Sequence, residues 1–383
     1  MDVNKLRLVC FRNFLDTTLN FNNSLNILIG NNAQGKTNII EAIYTLLRGG
    51  TYRTKDESTL INWQEKQGYL SGEVSKDSES FQINILFQNI EKLNPLSPKT
   101  KKIIKVNKKY RSKSWLTERF YPVIFTPEDL QIIKSSPSLR RKFLDEVIIN
   151  LNPTYEHYLR DYNRILFQRN ILLKTERNKH NLDRHLSEWD QKIVEAGSLI
   201  TWYRIKTLQL INQKVKTIHQ LMTEPKETLK LKYNSNFLTT FLEEKEEIQK
   251  VFEQKLENAR DKDLTLKVTT IGPHRDDYSI LSDSIDLGLY GSQGQQRTVV
   301  LALKMAELEL IREKDGEYPP LLLDDVLSEL DAERRLFLIK LIKEKPIQTF
   351  ITSIDLQDFV PYHIVESARV FKVRGGMVEE NEK

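Results

Sequence analysis

Cysteine is nearly absent from this 383-residue chain. Cys10 stands alone, which excludes an intramolecular disulfide framework and any multi-cysteine zinc site. Glycine (14) and proline (12) are scarce, which excludes collagen-like, low-complexity and linker-dominated architectures. No hydrophobic run approaches the roughly 20 residues that a membrane span needs. The opening Met1-Asp2-Val3-Asn4-Lys5 lacks the apolar core of an export signal, so the expectation is a reducing cytoplasm. A strong excess of one charge is lacking too. Lys and Arg number 58 against 53 Asp and Glu, a net +5, so nucleic-acid binding would have to come from local clusters. What is present is ample core material: 39% of residues are hydrophobic and 29% charged.

The first third reads as mixed α/β. Strand composition occupies residues 6–11, 25–30, 69–74 and 81–87, and residues 37–47 place Ile39, Ile40, Ile43, Leu46 and Leu47 at helical spacing. Residues 151–264 contain one glycine, Gly197, and two prolines, Pro153 and Pro225; they read as several long helices, with a break at Pro225. After about residue 265 the α/β character returns, with strands at Leu321-Leu322-Leu323 and at residues 348–352. The expectation is an α/β domain split in sequence: residues 1–125 and 265–383 form the halves, and residues 126–264 form an inserted helical arm.

Gly30-Asn31-Asn32-Ala33-Gln34-Gly35-Lys36-Thr37 fits G-x-x-x-x-G-K-[ST], a match expected by chance in about one chain in a hundred. An apolar strand precedes it and an amphipathic helix follows, which is the context the motif requires. Its backbone N–H groups would surround phosphate oxygens, with Lys36 reaching the β- and γ-phosphates and the Thr37 hydroxyl ligating Mg²⁺. Downstream, Leu321-Leu322-Leu323-Asp324-Asp325 is an apolar strand ending in two acids, the position where parallel sheets bind ligands. Asp324 is the candidate Mg²⁺ partner and Asp325 the candidate base for an attacking water. Read alone, the pair could instead cap the following turn.

Tyr290-Gly291-Ser292-Gln293-Gly294-Gln295-Gln296-Arg297 precedes a strongly apolar helical stretch. It is either a plain turn into a helix or a second helix N-terminus suited to an anion, with Ser292 and Gly294 at the ligand. One nucleotide rarely needs two cradles. Two chains meeting face to face, each offering this element to the other's nucleotide, resolve the duplication.

Together these segments resemble an ABC-type ATPase head. In that likeness Ser292-Gln293-Gly294-Gln295 is similar to the signature motif and Ser328-Glu329-Leu330-Asp331 to the D-loop. Further segments make the chain resemble, more narrowly, the RecF family of bacterial recombination mediators. They are Phe11-Arg12-Asn13-Phe14, Tyr52-Arg53-Thr54, Phe125-Thr126-Pro127-Glu128-Asp129-Leu130, Pro137-Ser138-Leu139-Arg140-Arg141 and Gly272-Pro273-His274-Arg275-Asp276-Asp277. The resemblance implies a weak, DNA-stimulated ATPase that uses ATP and Mg²⁺ and dimerises on ATP, with Lys36, Asp325 and the partner's Ser292 catalytic. It implies action at single-strand gaps and stalled forks, on single-stranded and duplex DNA, helping RecO and RecR to load RecA in the SOS response and replication restart. Two departures stand out. Asp325 occupies the position where most ABC ATPases carry Glu, and Ser353 follows Thr352 where a switch histidine is usual. No glutamine occupies residues 126–128, where the glutamine loop would fall. The rival reading, an ABC-type ATPase subunit of a membrane transporter, expects both missing features.

For DNA, residues 99–113 carry no acid and hold Lys101, Lys102, Lys108 and Lys109. They read as a β-hairpin turning near Asn107-Lys108 or as a solvated basic loop, and either could contact phosphates. Arg140-Arg141-Lys142 is a smaller cluster, and Lys174, Arg177 and Lys179 read as a solvated helix face. Tyr110 and Trp115 are the candidates for base stacking. His274, beside two acids, invites a metal or general-base role, against the weightier reading of a structural turn.

Overall fold

The computed structural model describes residues 1–90, 100–176, 179–223, 227–240 and 242–380, without side chains at 179–183. Lys99, Arg177, Pro225 and the side chain of Lys179 lie outside the described residues. The chain divides into two units, Met1–Asp129 with Ile311–Lys383, and Leu130–Leu310. The first begins with β1 (Asp2–Phe11), β2 (Phe14–Asn20), β3 (Leu25–Ile29), α1 (Lys36–Arg48), β4 (Gln67–Lys76), β5 (Glu79–Asn89), β6 (Thr100–Val106), β7 (Lys109–Arg111), α2 (Lys113–Thr117) and β8 (Val123–Phe125). The second comprises α3 (Gln131–Lys134), α4 (Pro137–Leu151), α5 (Tyr155–Thr175), α6 (Lys179–Gln220), β9 (Leu229–Asn234), α7 (Lys245–Asn258), α8 (Arg260–Leu266), β10 (Asp277–Ser282), β11 (Ile285–Asp286), α9 (Leu287–Tyr290) and most of α10 (Gln293–Asp315). The first resumes with β12 (Leu321–Leu323), α11 (Ala332–Glu344), β13 (Thr349–Ser353), β14 (Arg369–Arg374) and β15 (Met377–Glu380).

In the first unit, α1 is buried by Ile39, Ile40, Ile43, Leu46 and Leu47, all fully covered. Each such side chain contributes roughly 1.5–3 kcal/mol relative to exposure, so the helix is held by packing more than by propensity. It shares one core with inward residues of an antiparallel sheet, ordered β2-β1-β4-β5-β6-β7, and with Leu28, Leu322 and Phe350 of a second sheet. The second sheet is ordered β15-β14-β3-β13-β12-β8, and all its pairs but β14–β15 are parallel. Register brings three carboxyl ends side by side: Ser353 lies opposite Ile29, and Leu323 opposite Ile351. The loop after β3 and the acids after β12 therefore open on the same edge. β6 and β7 form a hairpin with Val106 opposite Lys109. Asn107 and Lys108 turn it with φ of 47° and 67°, the paired positive values that suit a two-residue hairpin turn. The hairpin alternative for the basic run is the one observed.

The second unit is not purely helical. β9 pairs with β10, and β10 with β11, in a three-stranded antiparallel sheet. This pairing draws residues beyond 264 into the unit, where the sequence reading ends the arm. Gly272-Pro273-His274-Arg275-Asp276-Asp277 is where its elements are tied. Arg204 donates to both Asp145 oxygens (2.9 and 2.8 Å) and to the Pro273 carbonyl (2.6 Å). Asp276, fully buried, accepts from Tyr233 Oη (2.8 Å), the Asn236 N–H (2.9 Å) and Ser235 Oγ (3.2 Å). Arg140 makes a two-pronged ion pair with Asp277, and Arg141 donates to the Asp276 carbonyl, all at 2.7 Å. Both arginines are thus structural, which removes them from the basic cluster available to phosphate. Arg169, with no exposed surface, pairs with Asp190 and Asp263 at 2.7 Å.

His274 lies within hydrogen-bonding distance of Tyr162 Oη through Nδ1 (2.6 Å) and of the Thr269 carbonyl through Nε2 (3.0 Å). Both contacts suit a neutral imidazole that accepts at Nδ1 and donates at Nε2. This is the structural turn, and among the described residues no group of three or more His, Cys, Asp or Glu could hold a metal. Burial pushes the His274 pKa down to about 4; the Thr269 carbonyl and Asp263 act against that, Arg275 and Arg141 with it. The stabilising neutral form is thus fully present above the ordinary pKa of 6.5 and is lost as pH falls toward 4, because the unfolded chain takes up a proton that the folded chain refuses. Unfolding by urea, followed by circular dichroism, should show the stability gap between wild type and His274→Asn shrinking by about 2–3 kcal/mol across that window. A gap independent of pH would contradict the assignment.

Candidate nucleotide site

The loop from Gly30 to Thr37 leaves β3 and enters α1. Gly30 has φ 150°, and a Cβ there would lie 2.3 Å from the Val373 carbonyl oxygen; Gly35, before the helix, has φ 118°. Both positions need glycine, because side chains are excluded by close backbone approach or left-handed φ. Ala33 also has positive φ, at 63°. The loop is pinned from two sides. Asn13 Nδ2 donates to the Gln34 carbonyl (2.9 Å), and the Gly375 N–H donates to Gln34 Oε1 (2.7 Å). Lys36, 8% exposed, turns its ammonium onto the carbonyls of Gly30 and Asn31. Burial lowers its pKa, and the charges of Asp325 and Asp324 oppose that shift.

The acids arrive from the far end of the chain. Thr37 Oγ1 donates to Asp324 Oδ1 at 2.9 Å, and Thr352 Oγ1 donates to the same oxygen at 3.1 Å. Tyr52 Oη lies 3.4 Å from Asp324 Oδ2. Burial raises the Asp324 pKa; the hydroxyls of Thr37 and Thr352, the charge of Arg53 and the Tyr52 hydroxyl act in the opposite direction. Asp325 is exposed, with φ 54°, and Ser328 Oγ donates to its carbonyl (2.8 Å) and carboxylate (3.2 Å). A cavity of about 250 Å³ is lined by Asn32, Ala33, Gly35, Lys36, Thr37, Asn38, Arg53, Asp325 and Thr352. An ammonium, loop backbone, a hydroxyl and the Asp325 carboxylate around one cavity, with Asp324 bonded to Thr37 behind it, suit a polyphosphate with a hard cation. The oxygen donors of Thr37 and Asp324 fit Mg²⁺, which usually takes one or two protein ligands and shares the substrate's phosphates.

Besides Asn38, two residues of this cavity, Arg53 and Thr352, carry no site role in the sequence reading. Arg53 donates to Asn38 Oδ1 (3.2 Å) and Glu41 (3.4 Å), and it sits where Glu41, fully buried, is also gripped by both prongs of Arg12 at 2.8 Å. Thr352 reaches the acids, whereas the hydroxyl of Ser353, at the usual switch position, donates to Asp358. The Tyr52-Arg53-Thr54 segment was a signal for the first; nothing local marks the second.

Ser292 and Gly294 belong to the second unit. Ser292 is exposed at the start of α10 and forms a reciprocal cap: its Oγ accepts the Gln295 N–H (3.2 Å), while Gln295 Oε1 accepts the Ser292 N–H (3.0 Å). Leu289 and Tyr290, just before it, are 76% and 77% exposed. In the basic hairpin, Lys101, Lys108 and Lys109 are exposed. Lys102 is half-buried, and its ammonium is held at 2.5 Å by Glu57 and by the Gly49 carbonyl, so it is engaged inside the protein. Trp115 packs edge-on to Phe81 and Phe120 with the Arg119 guanidinium 4.2 Å from its ring centroid, while Tyr110 stays 71% exposed.

The chain matches the model of the RecF/RecN/SMC N-terminal domain over residues 2–379. It is 38% identical to a DNA replication and repair protein RecF of Clostridium perfringens over 381 residues, covering 99% of this chain and 100% of the relative. It is also 38% identical to a RecF of Natranaerobius thermophilus, covering 98% and 97%. Among solved structures, the recombination mediator protein RecF-ATPrS in the RecFOR pathway superposes with a TM-score of 0.87 at 33% identity, over 100% of this chain and 98% of that one. An SMC head domain from Pyrococcus furiosus gives 0.55 at 16% identity, covering 99% and 95%, and shares the fold, the ABC-type ATPase head. No helix among the described residues is long and apolar enough to cross a membrane. Similarity that runs almost from end to end in both chains carries more than a shared head, and this chain belongs to the RecF family.

Proposed function

We propose that the chain is an ATP-dependent DNA-binding protein of recombinational repair and replication restart. ATP binding drives two copies together on DNA, and slow hydrolysis releases them. The observation that carries this reading is the meeting of Lys36, Thr37 and Asp325 around one cavity, with Asp324 bonded to Thr37, at the carboxyl ends of adjacent parallel strands. Loop amides and Lys36 bind and orient the β- and γ-phosphates, and Arg53 adds a cation at the cavity wall. Thr37 and Asp324 would hold Mg²⁺, which neutralises phosphate charge when bound. Asp325 orients the attacking water and takes its proton; the carboxylate is shorter than the usual Glu, which suits a slow timing switch better than a motor. Ser292 and Gly294 of a second copy complete the γ-phosphate contacts from across the dimer. Lys36, Asp325 and the second copy's Ser292 are the catalytic groups.

DNA is met by the exposed lysines of the hairpin, Lys101, Lys108 and Lys109, through phosphates and without base reading. The substrates are single-stranded and duplex DNA at gaps and junctions. RecO and RecR are the partners with which the dimer assists RecA loading, in the cytoplasm and within the SOS response. DNA stimulates the weak ATPase by favouring the closed dimer.

Lys36→Ala removes a charge-assisted contact and should weaken ATP binding at least about tenfold and abolish turnover, as titration with a fluorescent ATP analogue and phosphate release would report. Unchanged binding and turnover would remove the nucleotide assignment. Replacing Lys101, Lys108 and Lys109 by Glu should weaken DNA binding at low salt and flatten the log–log salt dependence by about one unit of slope per lost phosphate contact. An unaltered slope would place the DNA surface elsewhere.

A further inference from the structure

The strand β13 ends on Thr352 and Ser353, and alternation sends their side chains to opposite sides of the sheet. Ser353 is spent on Asp358. Thr352, 1% exposed, makes two contacts with one hydroxyl: it accepts the Asp325 N–H at 2.7 Å and donates to Asp324 Oδ1 at 3.1 Å. A hydroxyl has one proton and two lone pairs, so both bonds form together and fix the proton's direction toward Asp324. Asp325 needs such support. Its φ of 54° lies in the left-handed region, uncommon for a residue with a side chain. The residue is held at both ends, its N–H by Thr352 and its carbonyl by Ser328. Thr352 and Asp325 line the same cavity.

We propose that Thr352 is a positioning residue for ATP hydrolysis: its buried hydroxyl joins the cation-binding acid Asp324 to the backbone of the water-orienting acid Asp325, and so aims the Asp325 carboxylate into the cavity. This rests on the hydrolysis reading above. It gives β13 a role in catalysis through the residue before the usual switch position, the switch position itself being turned away.

The test compares Thr352→Val, which keeps the shape and removes the hydroxyl, with Thr352→Ser, which keeps the hydroxyl. In the nucleotide-free protein, hydrogen exchange of the segment spanning residues 321–330 should speed up in the Val variant and return to the wild-type rate in the Ser variant. ATP binding should stay unchanged in both, while kcat falls about 10- to 100-fold for Val and recovers for Ser. Unchanged exchange or unchanged kcat in Thr352→Val overturns the proposal, as does loss of ATP binding together with kcat, which marks a residue needed only for folding. Asp325→Asn separates the two readings. If wild type and Asp325→Asn turn over ATP equally, the hydrolysis reading fails and takes the catalytic role of Thr352 with it; the exchange data then still report whether the hydroxyl holds the Asp325 amide.

Discussion

A hydroxyl and a carboxylate 287 positions apart in the chain meet at 2.9 Å, and the site depends on that meeting. Thr37 starts the helix after the first core strand, and Asp324 ends a strand near the other end of the sequence. What unites them is the parallel register of β3, β13 and β12, which aligns three carboxyl ends on one edge of the sheet. The apolar strands Leu25–Ile29 and Leu321–Leu323 are buried on both faces, as parallel strands are, so slippage would expose core residues. Chemistry is placed by a hydrophobic constraint.

Charge is handled differently in the two units. Around the nucleotide cavity, Glu41 is neutralised by Arg12 and Arg53, while Asp324 is held by hydroxyls and feels the more distant charges of Arg53 and Lys36. Hydroxyl partners leave its negative charge available to a cation, where a close guanidinium would have consumed it. In the second unit, arginines meet acids at short range: the buried Arg204 with Asp145 and Arg169 with Asp263, and the half-buried Arg140 with Asp277. Those pairs tie the helices to one another and to the small sheet. Removing one partner would strand the other charge in the interior.

Much of this was legible in the residues. The strand–loop–helix around Lys36 announced itself by an apolar run, glycines at two of the three loop positions with positive φ, and a 3.6-residue apolar period. Leu321–Leu323 followed by two acids was equally plain, and Asn107-Lys108 sat at the hairpin turn. Other features were hidden because they depend on partners distant in sequence. Leu229-Lys230-Leu231-Lys232-Tyr233 alternates as a strand should, yet its helix-rich surroundings masked it, and its partner β10 lies more than 40 residues on. Lys102, Arg140 and Arg141 read as free basic residues because nothing local names Glu57, Asp277 or the Asp276 carbonyl as their partners. Thr352 is an ordinary strand threonine until the fold brings two acids to its hydroxyl.

In the proposed function, nucleotide gates the pairing of two copies through an element each lends the other. Sedimentation of Ser292→Arg beside wild type tests it most directly, with and without ATP. Wild type should shift from monomer to dimer on adding ATP, and Ser292→Arg should bind ATP as a monomer and stay one. A variant that still dimerises with ATP would contradict it.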